Sequence, residues 1–287
     1  MTRVVYVSGQ YLPYREAGVH AEDRGFQFGD AVYEVCEVRA GRLIDETRHM
    51  DRLARSLREL KIAEPMARPA FARVLRETIR RNRVRDGLVY LQVSRGAGRR
   101  DFLFPGPGVA PTVVVLARSI ARSKSEAQAE RGIAIKTMPD NRWGRCDIKT
   151  VMLLPASIAK EAARAAGAND AWFVDARGHV TEGASTNAWI IDAEGRAVTR
   201  ALSPELLGGI TRRTLLDVLA AEGIAVIERP FTVEEAKRAR EAFVTSATSI
   251  VMPVVRIDDT VIANGAPGLV AQRLRQVFHG HAETGPA

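Results

Sequence analysis

The sequence is poor in the residues that mark several classes of protein. Only two of its 287 residues are cysteines, Cys36 and Cys146, which is too few for a disulfide framework or a cysteine-based metal cluster. Its apolar runs fall well short of the roughly 20 residues of a membrane helix. Its opening residues, MTRVVYVSGQYLP, lack the apolar core of a signal peptide. We therefore expect a cytoplasmic protein with reduced thiols, no metal and no membrane partner.

Charge of one sign is not concentrated anywhere in the chain. Lysine and arginine outnumber aspartate and glutamate by 42 to 34, for a formal charge of +8, and such an excess can indicate nucleic-acid binding. The arginines, however, are scattered along predicted helices with acids among them, as in HMDRLARSLRELK. We therefore predict no nucleic-acid partner and keep a nucleic-acid-binding protein only as the alternative from another class.

The length and the 46% of hydrophobic residues favour two domains of ordinary size. Strands and helices are mixed in both halves without strict alternation, which predicts α+β domains. The polar stretch SIARSKSEAQAERG has little apolar periodicity. We predict an N-terminal domain over residues 1–120, a linker over 121–131 and a C-terminal domain over 132–287.

Apolar spacing and capping residues locate the main helices. We predict a β-hairpin turn at Ala40-Gly41. The predicted helices begin near Thr47, Pro69, Thr211 and Gly268, and a further one runs from about Thr150 to Ala166.

Lys149, in DIKTVMLL, stands at the mouth of an apolar run. A lysine withdrawn from water favours its neutral amine, and a neutral amine can form a Schiff base with an aldehyde. The alternative is that Lys149 lies in the first turn of a helix and points to solvent. The residue by itself does not decide between these interpretations.

Other segments contain residues suited to a ligand with a phosphate group, although each of them by itself also fits a turn cap, a plain loop or a surface arginine. Glu182 precedes small residues in VTEGASTN, and small residues allow close approach to the backbone. GGITRR places glycines where a helix should begin, and the N–H groups of a helix start suit a phosphate. His49 and Arg52 are three residues apart and share a helix face.

Together these segments resemble the class IV aminotransferases, which use pyridoxal phosphate on the two-domain α+β fold called fold type IV. The resemblance is greatest to the D-amino acid aminotransferases, and it covers nearly the whole chain. The motifs that carry it are EDRGFQFGDAVYEV, RHMDRLARS, RWGRCDIKTVMLL, VTEGASTN, LGGITRR and FVTSATS. The resemblance implies a homodimer with the cofactor at the domain interface.

The resemblance also implies roles around the cofactor ring. Lys149 would bind the cofactor covalently and move the proton at the substrate Cα. Glu182 would keep the pyridine nitrogen protonated, so that the ring accepts electrons. His49 and Arg142 would support Glu182, and Leu207 would pack under the ring.

A second group would bind the phosphate. In this group Ala247 stands where D-amino acid members often have a threonine, so one hydroxyl contact is in doubt and Thr248 is the candidate to replace it. The implied phosphate residues are Arg52, Ile210, Thr211, Ala247 and Thr248.

Tyr33 and Arg100 would bind the substrate carboxylate, with Arg100 reaching in from a second subunit. One departure from the family concerns SRGAGRRDFLFP. Well-known members have Arg-x-His here, whereas this chain has Phe102 two places after Arg100. Arg99 is an additional cation beside it.

We therefore expect transamination between a D-amino acid, such as D-alanine or D-glutamate, and a 2-oxo acid, such as 2-oxoglutarate. Within the class, three alternatives stay open. They are an (R)-selective amine transaminase, a branched-chain L-amino acid aminotransferase and an aminodeoxychorismate lyase.

Overall fold

The computed structural model describes residues 3–286, which form two compact units. Unit 1 contains the described residues up to Arg122, the segment Ile148–Met152 and the described residues from Glu283 onward. Unit 2 contains Ser123–Asp147 and Leu153–Ala282. The chain passes from unit 1 to unit 2 after Arg122, and two later segments return to unit 1.

Unit 1 is built on a six-stranded antiparallel sheet in the order β2-β1-β6-β5-β3-β4. Helices α2 and α3 pack against it. Its strands are β1 (Val4–Val7), β2 (Gln10–Pro13), β3 (Ala31–Arg39), β4 (Arg42–Leu43), β5 (Gly87–Ser94) and β6 (Thr112–Ser119), and its helices are α1 (Arg24–Phe28), α2 (Glu46–Glu59) and α3 (Arg68–Arg81).

Side chains alternate along β3 as the pleat requires. Val32, Glu34, Cys36 and Val38 are buried, whereas the residues between them are half-buried. A charged Glu34 among buried neighbours therefore needs partners. The predicted β3–β4 turn is present at Ala40-Gly41, where both φ angles are positive (50° and 80°), as a tight hairpin turn requires.

Helix α2 buries one face, as its spacing predicts. Met50, Leu53 and Leu57 are at most 4% exposed. Its first turn is stabilised by a residue near the other end of the sequence. The Glu283 carboxylate accepts hydrogen bonds from Thr47 N (3.2 Å) and Thr47 Oγ1 (2.7 Å).

Unit 2 has a nine-stranded mixed sheet in the order β12-β11-β10-β13-β14-β7-β8-β9, with β15 beside β14. Helices α5, α6 and α8 pack on it. Its strands are β7 (Ile133–Pro139), β8 (Asp170–Val174), β9 (Val180–Gly183), β10 (Asn187–Ile191), β11 (Ala197–Thr199), β12 (Val226–Glu228), β13 (Glu241–Ser246), β14 (Ile250–Ile257) and β15 (Thr260–Val261), and its helices are α4 (Arg122–Arg131, from Ser123 onward), α5 (Leu154–Ala165), α6 (Ile210–Ala221), α7 (Val233–Lys237) and α8 (Leu269–His281).

Two of the predicted elements differ from the structure. The expected linker is mostly helix α4, because its Ala, Glu, Gln, Lys and Arg residues are good helix formers and Ala129 is buried. The helix expected from Thr150 begins only at Leu154, with Pro155 in its first turn, where proline is favoured. Thr150 instead forms an antiparallel bridge with Val32.

Candidate active site

Lys149 lies on an extended segment beside β3 and not in a helix. Its carbonyl accepts a hydrogen bond from Tyr33 N (3.0 Å), and Val151 N donates to Ala31 O (3.1 Å). The Lys149 N–H points to Ser56 Oγ at 3.4 Å. The interpretation of Lys149 as an outward-pointing residue of a first helical turn is therefore wrong, because β3 takes up the backbone bonds that a helix would need.

The Lys149 amine faces an aromatic surface. Its Nζ lies 4.2 Å from the centre of the Tyr33 ring, a cation–π distance. Tyr33 stacks on Tyr90 with ring centres 5.5 Å apart, and the Tyr90 hydroxyl donates to Gln92 Oε1 at 2.6 Å. Burial, and then the neighbouring Tyr33, raise the pKa of Tyr90 to about 12. The structure thus brings Tyr33 to the lysine.

Tyr90 was missed by the sequence analysis. Val35 of β3 pairs with Tyr90 of β5. Because side chains alternate along a strand, Tyr33 lies on the same face as Val35 and therefore on the same face as Tyr90. Recognising Tyr90 as a neighbour of Tyr33 requires the register of the β3–β5 pairing, which cannot be read from the sequence.

Arg52 and His49 meet at Glu34, which is 0% exposed. Arg52 donates from Nε (2.8 Å) and Nη2 (2.7 Å) to the two carboxylate oxygens, and His49 Nδ1 lies 2.7 Å from Oε2. Burial alone would raise the pKa of Glu34, but the charge of Arg52 and hydrogen bonds from Arg52 and His49 outweigh it and hold this pKa at about 2. Glu34 is therefore a carboxylate that orients both the Arg52 guanidinium and the His49 imidazole.

His49 Nδ1 bonds Glu34 within unit 1, because the two residues lie on packed elements α2 and β3. The support of Glu182 by His49 stays a prediction. The placement of Arg52 on a phosphate stays a prediction, with Glu34 as the group that holds its guanidinium.

Glu182, at 5% exposed, is the centre of a second network. Arg142 Nη1 donates to its Oε1. Asn187 Nδ2 and Leu207 N each donate to Oε2 at 3.2 Å. Arg142 also bonds Asp140 through Nε (2.9 Å) and Nη2 (2.8 Å), so its guanidinium is fixed between two carboxylates.

The charge state of this network is defined by Arg142. Burial lowers its pKa, but hydrogen bonds to Asp140 and the charge of Glu182 raise it well above the ordinary value. The permanently charged guanidinium faces Glu182 and favours its ionised form. Asp140 and Asn187 were not identified from the sequence, because their role depends on the contact between Arg142 and Glu182, which are 40 residues apart.

The start of α6 provides a second set of groups. Gly209 is the residue before the helix, and no described side chain caps it. A Cβ on Gly209 would lie 2.0 Å from Asn187 Oδ1, so only glycine fits against the side chain that bonds Glu182. Ile210 and Thr211, the first two helical residues, are buried.

The turn between β13 and β14 collects hydroxyl groups. Ser246 Oγ lies 3.2 Å from Thr248 Oγ1 and 2.7 Å from Ser249 Oγ. Ala247 stands among them and is half-buried. Helix α6 packs against β13, the strand that leads into this turn.

Arg99, Arg100 and Phe102 lie in an exposed loop. The Arg100 guanidinium lies 5.3 Å from the centre of the Phe28 ring. Phe102 is 82% exposed and meets Phe28 edge-on, with ring centres 5.8 Å apart. The structure thus joins Arg100 and Phe102 through Phe28, and it leaves Arg99 exposed.

Comparison with known proteins gives these networks a context. Residues 31–257 match the amino-transferase class IV family. The chain is 36% identical over 285 residues to a D-alanine aminotransferase of Staphylococcus haemolyticus, with 99% of each chain covered. It is 35% identical over 271 residues to a D-alanine aminotransferase of Bacillus licheniformis, with 94% of each covered. A branched-chain amino acid aminotransferase from Escherichia coli has a solved structure with a TM-score of 0.86 at 21% identity, and the match covers 98% of this chain and 94% of that one.

The α+β architecture in two units is that of the fold type IV aminotransferases. The chain belongs to the class IV aminotransferase family, and it is a pyridoxal-phosphate-dependent enzyme. Among residues 3–286, no helix is long and apolar enough to cross a membrane.

The residues present fit this cofactor. Lys149 supplies an amine for its aldehyde, and Glu182 supplies a carboxylate held by Arg142. Gly209, where a side chain would clash with Asn187, leads into the first turn of a 12-residue helix, and the N–H groups of such a helix start suit a phosphate.

Proposed function

We propose that the chain transfers the amino group of a D-amino acid, such as D-alanine, to a 2-oxo acid, such as 2-oxoglutarate. The observation that carries this proposal is the 36% identity to a D-alanine aminotransferase over 99% of both chains. Pyridoxal phosphate supplies the aldehyde that takes up the amino group and a ring that accepts electrons.

Lys149 would hold the cofactor and then carry the proton that leaves and returns at the substrate Cα. Its backbone is fixed to β3 on both sides of the residue, through Tyr33 N and Ala31 O. The amine at its tip lies against the Tyr33 ring. A rigid backbone and a defined aromatic neighbour keep a mobile side chain within a small volume, which is what proton transfer requires.

Glu182 would keep the cofactor ring nitrogen protonated. The permanent charge of Arg142 and two neutral donors, Asn187 Nδ2 and Leu207 N, hold its carboxylate in place. Asp140 fixes Arg142 from the other side. In this proposal Leu207 contributes its N–H to Glu182 as well as its side chain under the ring.

For the phosphate we propose Arg52, the N–H groups at Ile210 and Thr211, and the turn at Ala247 and Thr248. The α6 start offers backbone donors with the helix dipole behind them. Thr248 Oγ1 lies in a hydroxyl cluster with Ser246, which supports a hydroxyl contact in place of the one that Ala247 does not provide.

A substrate carboxylate would meet Tyr33 and Arg100. Phe102 supports a second candidate, an (R)-selective amine transaminase, because an apolar ring offers a carboxylate no hydrogen bond. Its ring lies against Phe28 and is 82% exposed. We expect Arg100 to keep the D-amino acid reaction dominant through a bidentate contact.

We also propose a homodimer, located in the cytoplasm. The apolar side chains of Phe102, Leu103 and Phe104 are 58–82% exposed in one loop, and Leu154 and Ile158, one turn apart on α5, are 70% and 54% exposed. Contiguous exposed apolar groups mark interaction surfaces. Light scattering should give twice the 31.4 kDa mass of one chain.

A substrate panel tests the reaction. D-alanine, L-leucine and (R)-1-phenylethylamine are each offered with 2-oxoglutarate, and glutamate formation is followed. We expect D-alanine to be the best donor, with measurable turnover of the amine. A preference for L-leucine would support the branched-chain alternative and overturn the proposal.

A further inference from the structure

Asp30 joins two buried arginines between α1 and β3. Its Oδ2 accepts from Arg24 Nε (2.8 Å) and from Arg95 Nε (2.8 Å), and its Oδ1 accepts from Arg95 Nη2 (3.0 Å). The three side chains are 5–10% exposed. One carboxylate therefore lies between two guanidinium groups in a region with little water, where its charge keeps both in place.

Other N–H groups of both arginines bind backbone carbonyls. Arg24 Nη1 donates to Asp101 O (2.7 Å) and Leu103 O (3.3 Å). Arg95 donates to Leu60 O (2.7 Å) and Lys61 O (2.9 Å), just after α2. Arg24 thus fastens the backbone of an exposed loop, and Arg95, a few residues before that loop, fastens its own segment to the chain just after α2.

Aromatic contacts extend this arrangement to the loop side chains. The Arg95 guanidinium lies 3.6 Å from the centre of the Phe104 ring. Phe28 receives the guanidinium of Arg24 at 4.5 Å and that of Arg100 at 5.3 Å. Arg100 therefore rests on a ring that is itself in contact with the Asp30-bound Arg24.

We propose that Asp30 is a positioning residue for Arg100. By binding Arg24 and Arg95, Asp30 fixes the exposed loop of residues 99–104. The position of this loop in turn sets the direction in which Arg100 presents its guanidinium. This inference rests on the proposed function, in which Arg100 binds the substrate carboxylate. Asp30 itself touches neither substrate nor cofactor in this proposal.

Asp30→Asn keeps the shape of the side chain and removes its charge. We expect the KM for D-alanine to rise about tenfold, since one charge-assisted contact to the carboxylate is worth at least that factor. The rate of the saturated first half-reaction and the cofactor absorbance band should stay within about twofold of the wild type, because Lys149 and Glu182 are not touched. Arg24→Lys, which keeps a charge beside Asp30 but loses the fork to the two loop carbonyls, should raise the KM in the same direction.

Asp258→Asn is the matched control. Asp258 also faces two cations, Lys136 Nζ at 3.3 Å and Lys237 Nζ at 3.8 Å, and it bonds Thr137. It lies in unit 2 and belongs to no proposed site. We expect this variant to lower the melting temperature and to leave the KM for D-alanine unchanged.

Hydrogen exchange separates this inference from the proposed function. Amides of residues 101–104 should exchange faster in Asp30→Asn than in the wild type, whatever substrate the enzyme uses. If they exchange at the same rate, or if KM and the saturated rate change together as a general loss of structure would cause, Asp30 does not position the loop. A wild type without activity on D-alanine would overturn the proposed function, and exchange in the loop would then decide on Asp30.

Discussion

Replacing Glu34 by glutamine removes the negative charge that Arg52 and His49 share in the core of unit 1. The pKa of Glu34 is about 2, against an ordinary value of 4.5. Each pKa unit corresponds to about 1.4 kcal/mol, so the ionised form contributes on the order of 3 kcal/mol to the free energy of unfolding at pH 7. Losing one partner of a buried ion pair typically costs about 3–5 kcal/mol, which agrees in size.

This contribution depends on pH in a defined direction. Because folding lowers the pKa of Glu34, the stabilisation is complete above the ordinary value of 4.5 and is lost as the pH falls towards 2. At pH 3 about 1 kcal/mol should remain, from the same two pKa values. The difference in unfolding free energy between wild type and Glu34→Gln should therefore shrink by about 2 kcal/mol between pH 7 and pH 3.

Urea unfolding followed by far-UV circular dichroism measures this difference. Fluorescence is unsuitable, because the three tryptophans all lie in unit 2. Glu77→Gln is the control. Hydrogen bonds from Arg80 and Arg81 lower the pKa of Glu77 to about 2 as well, but this group is at the surface of α3, where solvent screens the ion pairs.

We expect Glu77→Gln to change stability much less than Glu34→Gln. A difference between wild type and Glu34→Gln that is equal at pH 3 and pH 7 would refute the reasoning, since it would show that packing and not charge stabilises the site.

Four further predictions concern single positions. Borohydride reduction and peptide mapping should find the cofactor on Lys149, and Lys149→Ala should reduce the rate by at least ~100- to 10,000-fold; a label on another lysine would contradict this assignment. Glu182→Gln should retain the cofactor but slow the first half-reaction in single-turnover measurements, whereas an unchanged rate would remove Glu182 from the site. Phe102→His should raise kcat/KM for D-alanine relative to (R)-1-phenylethylamine about tenfold; if the ratio is constant while Arg99→Ala abolishes D-alanine turnover, Arg99 binds the carboxylate. Glu283→Gln should destabilise α2 by about 1 kcal/mol, as expected for a lost helix cap, and an unchanged melting temperature would show that the Thr47 contact contributes nothing.

Local signals in the sequence predicted much of the fold. The starts of α2, α3, α6 and α8 and the turn at Ala40-Gly41 follow from capping residues, apolar spacing and glycine, all within a few positions of one another. The start of α5 was misplaced because Thr150 pairs with Val32, and that pairing overrides local helix propensity. Family motifs drew attention to Lys149 and Glu182 as candidates, but the neighbours of both residues depend on long-range contacts.

Glu34 illustrates why the contacts around the candidate site residues could not be predicted from the sequence. Strand alternation places it on the buried face of β3, yet nothing nearby in the sequence indicates that Arg52 and His49 from α2 will reach it. Arg142 and Glu182 present the same problem across 40 residues. Ion pairs of this kind become visible only when the packing of the elements is known.

The order of protein synthesis gives the discontinuous unit 1 a further property. Thr47 is translated 236 residues before Glu283, which caps its helix. At roughly 5–20 residues per second, a ribosome needs about 10–50 seconds to cover that distance. Throughout this interval the first turn of α2, the helix that carries Arg52 and His49, lacks its contact with Glu283. Until Thr150 has been synthesised, Val32 also lacks its bridge partner. The unit that carries Lys149 is therefore the first to begin emerging and the last to be completed, and chaperones would meet it in an unfinished form.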